Sequence, residues 1–283
     1  MKFSIVFLCI LFGISVYSQE YSNLHKTAVV ADLHTDVLQN VMRGADIAVR
    51  SSYGHVDLVR LKEGGVDVQF FAIWPDPKKY LPDRMYYQSM LMIDLLEQLV
   101  EKNRSVIGLA HSTNDIIRLL SEQKIAACIG LEGGTAIEND LSKLQNFYDR
   151  GVRYMGLTWN DSPDWATSAK DEISAEFNRK SGLTDFGRAV IQKMNELGMM
   201  IDVSHCGEKT FWDVINTSQQ PVIASHSAAH ALRWHHRNLK DDQIKAIAEK
   251  GGVVCINFYP GYLDYSFAKR YEAIRQESKP FLD

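Results

Sequence analysis

Five residues of the 283-residue sequence are of types that hold divalent cations, and each stands at the end of a short apolar run. His34 and Asp36 follow the first run, in Asp32-Leu33-His34-Thr35-Asp36. Being two apart, they project to the same side of an extended backbone and can grip one ion together. Glu132 follows the third run, in Gly130-Leu131-Glu132-Gly133-Gly134. Its two oxygens could bridge two ions, and the glycines after it let backbone and ligand approach closely. His205 and His226 each follow a serine, in Asp202-Val203-Ser204-His205 and Ala224-Ser225-His226, and neutral imidazole is a good zinc ligand. Taken singly, a histidine or aspartate at a strand end is more often a cap or a hydrogen-bonded core residue. Five of them at four run ends point to metal, because random placement would scatter them over both ends and all faces. A competing pair, His226 with His230, would share one helical face if that segment were helical. His226 serves better at its strand end. His25, His55, His111, His235 and His236 read as surface or packing residues.

The runs that would carry these ligands are Thr27 to Leu33, Val66 to Trp74, Ile125 to Leu131, Val152 to Trp159, Met199 to Ser204, Pro221 to Ser225 and Gly252 to Tyr259. Rich in Val, Ile and Phe, they read as seven buried strands. Helical spacing fills the intervals at Met85 to Asn103, Asn114 to Glu122, Leu141 to Arg150, Leu183 to Leu197, Glu208 to Asn216 and Lys240 to Lys250. Strand and helix alternate without a linker rich in Pro, Gly or Ser, which predicts one α/β domain of parallel strands. A doubly wound sheet would place a glycine-rich phosphate loop after its first strand, where this chain has His34 and Asp36. A TIM-like (β/α)8 barrel fits better, since such barrels collect their active sites at the C-terminal ends of the strands. After the seventh run, Pro260 to Asp283 reads as a loop and a polar helix around Phe267 to Glu277, with no eighth strand.

Composition bounds the function. A chain 46% hydrophobic and 23% charged is ordinary globular material. Its formal charge of -4, without a basic run, excludes the usual grip on a nucleic-acid backbone. The apolar run Phe3 to Tyr17 after Lys2, ending in Val16-Tyr17-Ser18, predicts a signal peptide over residues 1–18 and export to the periplasm or the cell exterior. No later stretch approaches the ~20 apolar residues that a membrane span requires. Removal of Cys9 with that segment would leave Cys128, Cys206 and Cys255 and at most one disulfide. Cys128 and Cys255 read as buried structural thiols.

The set His34-x-Asp36, Glu132-Gly-Gly, Ser-His205 and Ser-His226 resembles that of the renal (membrane) dipeptidases, which are two-zinc metallopeptidases. The likeness extends to His55-Val56-Asp57-Leu58, Arg60-Leu61, Gly64-Gly65-Val66, Gln69-Phe70, Arg237-Asn238-Leu239 and Asn257-Phe258-Tyr259. It implies a zinc-dependent dipeptidase with His34 and Asp36 on one zinc, His205 and His226 on the other, and Glu132 across both. Arg237 matches the family's substrate-binding arginine, whose guanidinium can fork onto the free carboxylate of a dipeptide. Tyr262 is expected beside the substrate as well. Homodimers are common in the family, though no interface is legible in the chain.

Two departures qualify the resemblance. The family's proton-relaying aspartate follows an eighth strand, and Asp283 is reached before any such segment, so residues 19–283 are expected to be a barrel domain lacking its C-terminal part and impaired alone. Trp159 stands where better-known members carry a substrate-binding histidine, which opens the question of substrate preference. The rival readings are another metal-dependent amidohydrolase, on fold analogy, and an exported binding protein without catalysis.

Overall fold

Residues that alternate inward and outward along a strand need an apolar layer on both faces when helices cover the sheet. The strands meet this requirement in a computed structural model that describes Tyr21 and residues 23–278, so the predicted signal segment lies outside the described residues. In chain order the strands are β1 (Ala31–Thr35), β2 (Val68–Ile73), β3 (Ile107–Leu109), β4 (Ile125–Glu132), β5 (Val152–Gly156), β6 (Met200–Asp202), β7 (Val222–Ser227) and β8 (Val253–Ile256). All pair in parallel, in the order β1-β2-β4-β5-β6-β7-β8, as a TIM-like barrel that is nearly closed.

β4 shows how the barrel is built. All eight of its residues are buried. Ile125, Ala127, Ile129 and Leu131 face the helices, packing with Leu96, Phe147 and Val190 among others, while Ala126 and Cys128 join Val68, Phe70, Tyr154 and Ile223 in a second cluster inside the barrel. Glu132 falls on the inner face by the same alternation. The outer helices Met85–Lys102, Thr113–Ser121, Leu141–Asp149, Asp185–Leu197, Glu208–Thr217 and Asp241–Glu249 lie within two residues of their predicted bounds. Several boundaries are set by capping side chains: Ser112 accepts from the N–H of Asp115, and Thr184 from that of Gly187. Gly198, at φ +71°, ends the helix before β6 in the left-handed conformation that glycine adopts without strain.

Three expectations are corrected. The first strand begins at Ala31 and not at Thr27, because residues 23–27 are helical and Ala28 N–H donates to the Leu24 carbonyl at 2.8 Å. His34 therefore sits inside β1. An eighth short strand, β3, pairs with the start of β4 on the same edge that β5 takes further along, and so lies off the barrel path. At three residues it is too short to show an alternation. The last strand is not buried: Val253 and Ile256 are 55% and 74% exposed. Among the described residues no strand lies between β1 and β8, so both keep an unpaired edge and Cys255 is only half-buried. Cys128 is buried as expected, and no disulfide forms among the described residues. No helix among them is long and apolar enough to cross a membrane.

Candidate metal centre

The strand ends bring the five candidate ligands into one pocket. His34 Nε2 lies 3.4 Å from Glu132 Oε2 and 3.7 Å from Asp36 Oδ1. On the other oxygen of Glu132, Oε1, His205 Nε2 lies at 3.1 Å and His226 Nε2 at 3.5 Å. The two ring nitrogens of His205 and His226 are 3.0 Å apart, and the rings of His34 and His226 stack at 3.8 Å between centroids. Ligand atoms of His34, Glu132 and His226 all fall within 4.8 Å of one another. Asp36 stands at the mouth, with 60% of its side chain exposed.

Backbone geometry at these positions is specialised. His205 has φ +67°, a left-handed conformation that costs a residue with a Cβ some strain and turns its ring toward Glu132. Gly133, at φ +101°, makes the sharp exit from β4. The reason for Gly134 differs from the expected room for ligand: a Cβ there would lie 2.3 Å from the Trp165 ring, so the residue admits a core tryptophan.

Each histidine has a partner on its far side. The Tyr154 hydroxyl donates to the Leu33 carbonyl at 2.9 Å and lies 3.0 Å from His34 Nδ1, which must then be the donor to it. His205 Nδ1 lies 3.3 Å from Asn160 Oδ1. These bonds leave the Nε2 atoms of His34 and His205 to face the carboxylates. Tyr154 and Asn160 were not anticipated from the sequence. Their only signal is a polar atom next to ligand-bearing strands: Tyr154 inside the barrel on β5, Asn160 in the loop after it.

The electrostatics follow from burial. Burial and the nearby Arg237 push the His205 pKa down to about 3. Burial and the neighbouring His34 put His226 well below the usual histidine range. Burial opposes charge on His34 too, but Tyr154, Glu132 and Asp36 together raise it. Burial would raise Glu132, yet the charge on His34 and the close approach of the His205 and His226 rings hold it ionised. The site thus presents an ionised carboxylate to neutral imidazole nitrogens crowded within hydrogen-bond distance of each other. With one hydrogen between two such nitrogens at most, their lone pairs are resolved best by a cation, and this donor set can hold divalent metal.

Beside the pocket, Arg237 is 4% exposed; its Nη2 donates to the His226 carbonyl at 3.1 Å, and its Nε has no partner among the described residues. Burial lowers its pKa, but a guanidinium stays charged. Tyr262 places its ring 5.8 Å from that guanidinium. Trp159 packs on Trp74 at 4.7 Å between centroids. All eight residues singled out from the sequence line one cavity of about 980 Å³, which runs out between β1 and β8. A second recess of about 580 Å³ continues past Asp36 and Trp159, lined by Arg43, Tyr53 and Trp74. His55, exposed as expected, also lines it. His235 packs a tilted ring against Tyr262 at 4.5 Å between centroids and accepts from the Arg237 backbone N–H, so it packs behind the arginine. His230 does not line this cavity but an adjoining recess that shares His205 and Arg237 with it.

The sequence model of the membrane dipeptidases, peptidase family M19, matches residues 18–278. The chain belongs to this family. An uncharacterized dipeptidase of Schizosaccharomyces pombe is 32% identical over 262 residues, which are 87% of this chain and 62% of that protein. Mouse dipeptidase 3 is 33% identical over 233 residues, 82% of this chain and 46% of the mouse protein. The chain therefore spans about half to two thirds of the length of these two curated relatives. Among solved structures, a probable dipeptidase of Pseudomonas aeruginosa superposes with a TM-score of 0.79 at 28% identity, covering 92% of this chain and 68% of that one. A metallopeptidase of Rhodobacter sphaeroides, liganded with a phosphinate mimic of the dipeptide L-Ala-D-Ala, gives 0.72 at 26% identity, over 83% and 76% of the two chains.

Proposed function

We propose that the protein hydrolyses the peptide bond of dipeptides with two zinc ions held by His34, Asp36, Glu132, His205 and His226. One observation carries the reading: Glu132 is addressed on both oxygens by separate histidines, Oε2 by His34 and Oε1 by His205 and His226. A carboxylate divided in this way suits a bridging ligand, with His34 and Asp36 serving one ion and His205 and His226 the other. Imidazole mixed with carboxylate favours zinc over the harder cations. Bound there, the ions supply Lewis acidity toward the scissile carbonyl and a nucleophile at neutral pH.

The side chains of the chain orient the substrate. Arg237, buried and with Nε unpartnered, offers a fork to the C-terminal carboxylate of a dipeptide. Tyr262 flanks that carboxylate. Trp159 and Trp74 wall the opposite side, past Asp36, toward which the N-terminal residue extends. An indole at position 159 offers an apolar face where an imidazole would offer a hydrogen bond, so side-chain packing replaces a polar contact to the substrate. The phosphinate dipeptide mimic held by the Rhodobacter relative supports a dipeptide in this cavity. Residues 1–18 are read as a signal peptide, which places the enzyme in the periplasm or outside the cell.

Metal analysis of the complete protein, with a dipeptide panel that includes L-Ala-D-Ala, tests the proposal. About two equivalents of zinc, and hydrolysis abolished by a chelator and restored by zinc, are expected. Chelator-insensitive hydrolysis would overturn the mechanism. Stoichiometric zinc without turnover of any dipeptide would favour the binding-protein reading instead.

A further inference from the structure

Asp202, the last residue of β6, is 2% exposed, and no cation forms an ion pair with it among the described residues. Its carboxylate is held by neutral donors alone. Oδ1 accepts the backbone N–H groups of Ser204 and Ser225, each at 2.9 Å, and Oδ2 accepts the Ser225 hydroxyl at 2.6 Å. A buried carboxylate with no cation in direct contact, the nearby Arg237 guanidinium acting on it only at a distance, is costly, and satisfying two backbone N–H groups could be done by a neutral amide. The charge itself needs another explanation, and the third bond supplies it.

A carboxylate oxygen only accepts, so the Ser225 hydroxyl proton is committed to Asp202. The same hydroxyl oxygen lies 2.7 Å from His226 Nδ1 and has only lone pairs left to offer it. His226 Nδ1 must then carry the ring's hydrogen. A neutral imidazole has one hydrogen on nitrogen, so Nε2 is left bare, and Nε2 is the atom that faces Glu132. Ser204 holds the arrangement in place: its hydroxyl accepts the His226 backbone N–H at 3.1 Å.

We propose that Asp202 is a positioning residue that acts through Ser225 to fix the tautomer of His226, keeping Nε2 open as a ligand for a cation. The proposal deepens the metal reading above and rests on it for the identity of the ligand, but the tautomer is a property of the chain with or without metal. Asp202→Asn is the discriminating substitution. The amide oxygen can keep both backbone bonds, which leaves Nδ2 aimed at the Ser225 oxygen as a donor. The hydroxyl must then turn and donate to His226 Nδ1, the ring hydrogen moves to Nε2, and the ligand atom is blocked. A merely structural Asp202 has no such consequence, because the asparagine preserves shape and the turn.

The test is long-range ¹H–¹⁵N correlation on metal-free protein with ¹⁵N-labelled histidine, paired with zinc competition against a chromophoric chelator. Wild type is expected to show His226 as the Nδ1–H form and Asp202→Asn as the Nε2–H form. Zinc affinity at one of two positions should fall by about 10–100-fold, the range for loss of an outer partner of a metal ligand. Ser225→Ala, which cuts the link without inserting a donor, should lose less, and Ser225→Thr, which keeps the hydroxyl, should bind as wild type does. If Asp202→Asn fails to fold, the wild-type spectrum and the two Ser225 variants still decide. Wild-type His226 in the Nε2–H form, or zinc affinity unmoved in Asp202→Asn and Ser225→Ala alike, would overturn the proposal. A wild-type protein that shows the Nδ1–H form but binds no zinc would instead sink the metal reading and leave the tautomer assignment standing.

Discussion

Tyr154 crosses the barrel interior to hold His34: its hydroxyl sits 3.0 Å from His34 Nδ1 while donating to the Leu33 carbonyl at 2.9 Å. The ring is fully buried, and burial raises its pKa, so the phenol remains a neutral donor and acceptor. Tyr154→Phe should leave the fold intact, with a loss of about 0.5–1.5 kcal/mol for the missing hydrogen bond. Zinc affinity should fall by about 10–100-fold, because the His34 ring loses its orienting partner. Urea denaturation and chelator competition measure the two effects separately; unchanged zinc affinity would mean that packing alone aims His34.

The ring has room only because residue 130 lacks a side chain. A Cβ on Gly130 would lie 2.1 Å from Tyr154 Cζ. Gly130→Ala should therefore overpack the inner cluster and cost about 1–3 kcal/mol, while shifting the tyrosine that positions His34. A denaturation midpoint equal to wild type would show that the ring can move aside freely.

Glu132 is the residue on which both halves of the centre depend. Glu132→Gln retains the shape but replaces one carboxylate oxygen with an amide nitrogen that cannot ligate. Zinc at 100 times its dissociation constant should stabilise wild type by about 2.7 kcal/mol, since only the folded state binds. The glutamine variant should show little of that gain in a thermal-shift titration. An equal gain in both proteins would place the ions elsewhere.

Arg237 is expected to hold the substrate carboxylate. Arg237→Met keeps much of the buried aliphatic packing and removes the charge, and should lower kcat/KM for dipeptides by about 2–5 kcal/mol of transition-state binding. A dipeptide amide, lacking the carboxylate, should respond far less to the substitution. Equal losses on both substrates would argue for a structural arginine.

Away from the site, Asp57 contributes to acid stability. Burial would raise its pKa, but the backbone N–H groups of Arg60 and Ser51 and the Arg60 guanidinium hold it down to about 2. A depressed carboxylate stabilises the fold fully above its unfolded pKa of about 4 and loses that contribution as the pH falls toward the folded value. Asp57→Ala should cost about 0.5–2 kcal/mol at pH 7 as a lost helix cap. Denaturation at pH 7 and at pH 3 should show the gap between the two proteins narrowing in acid; a gap that widens would reverse the assignment. The His55-Val56-Asp57-Leu58 motif thus contributes a structural aspartate beside a histidine that lines the recess.

The parallel barrel, most of the order of its strands and helices and the candidate ligands were legible in the sequence alone, because period-two and helical spacing are local and because side chains of cation-binding types gathered at the ends of apolar runs. His34, Asp36, Glu132, His205 and His226 could be named without coordinates for that reason. Tertiary structure decided what depends on distance between strands: that Glu132 is divided between His34 and the His205–His226 pair, that Tyr154 stands behind one histidine and Asp202 behind another, and that Gly130 is small for the sake of Tyr154. It also decided that β3 leaves the barrel path and that β8 is exposed. These are relations between residues remote along the chain, and no local pattern of spacing encodes which hydrogen-bond donor will meet which acceptor once the barrel has folded.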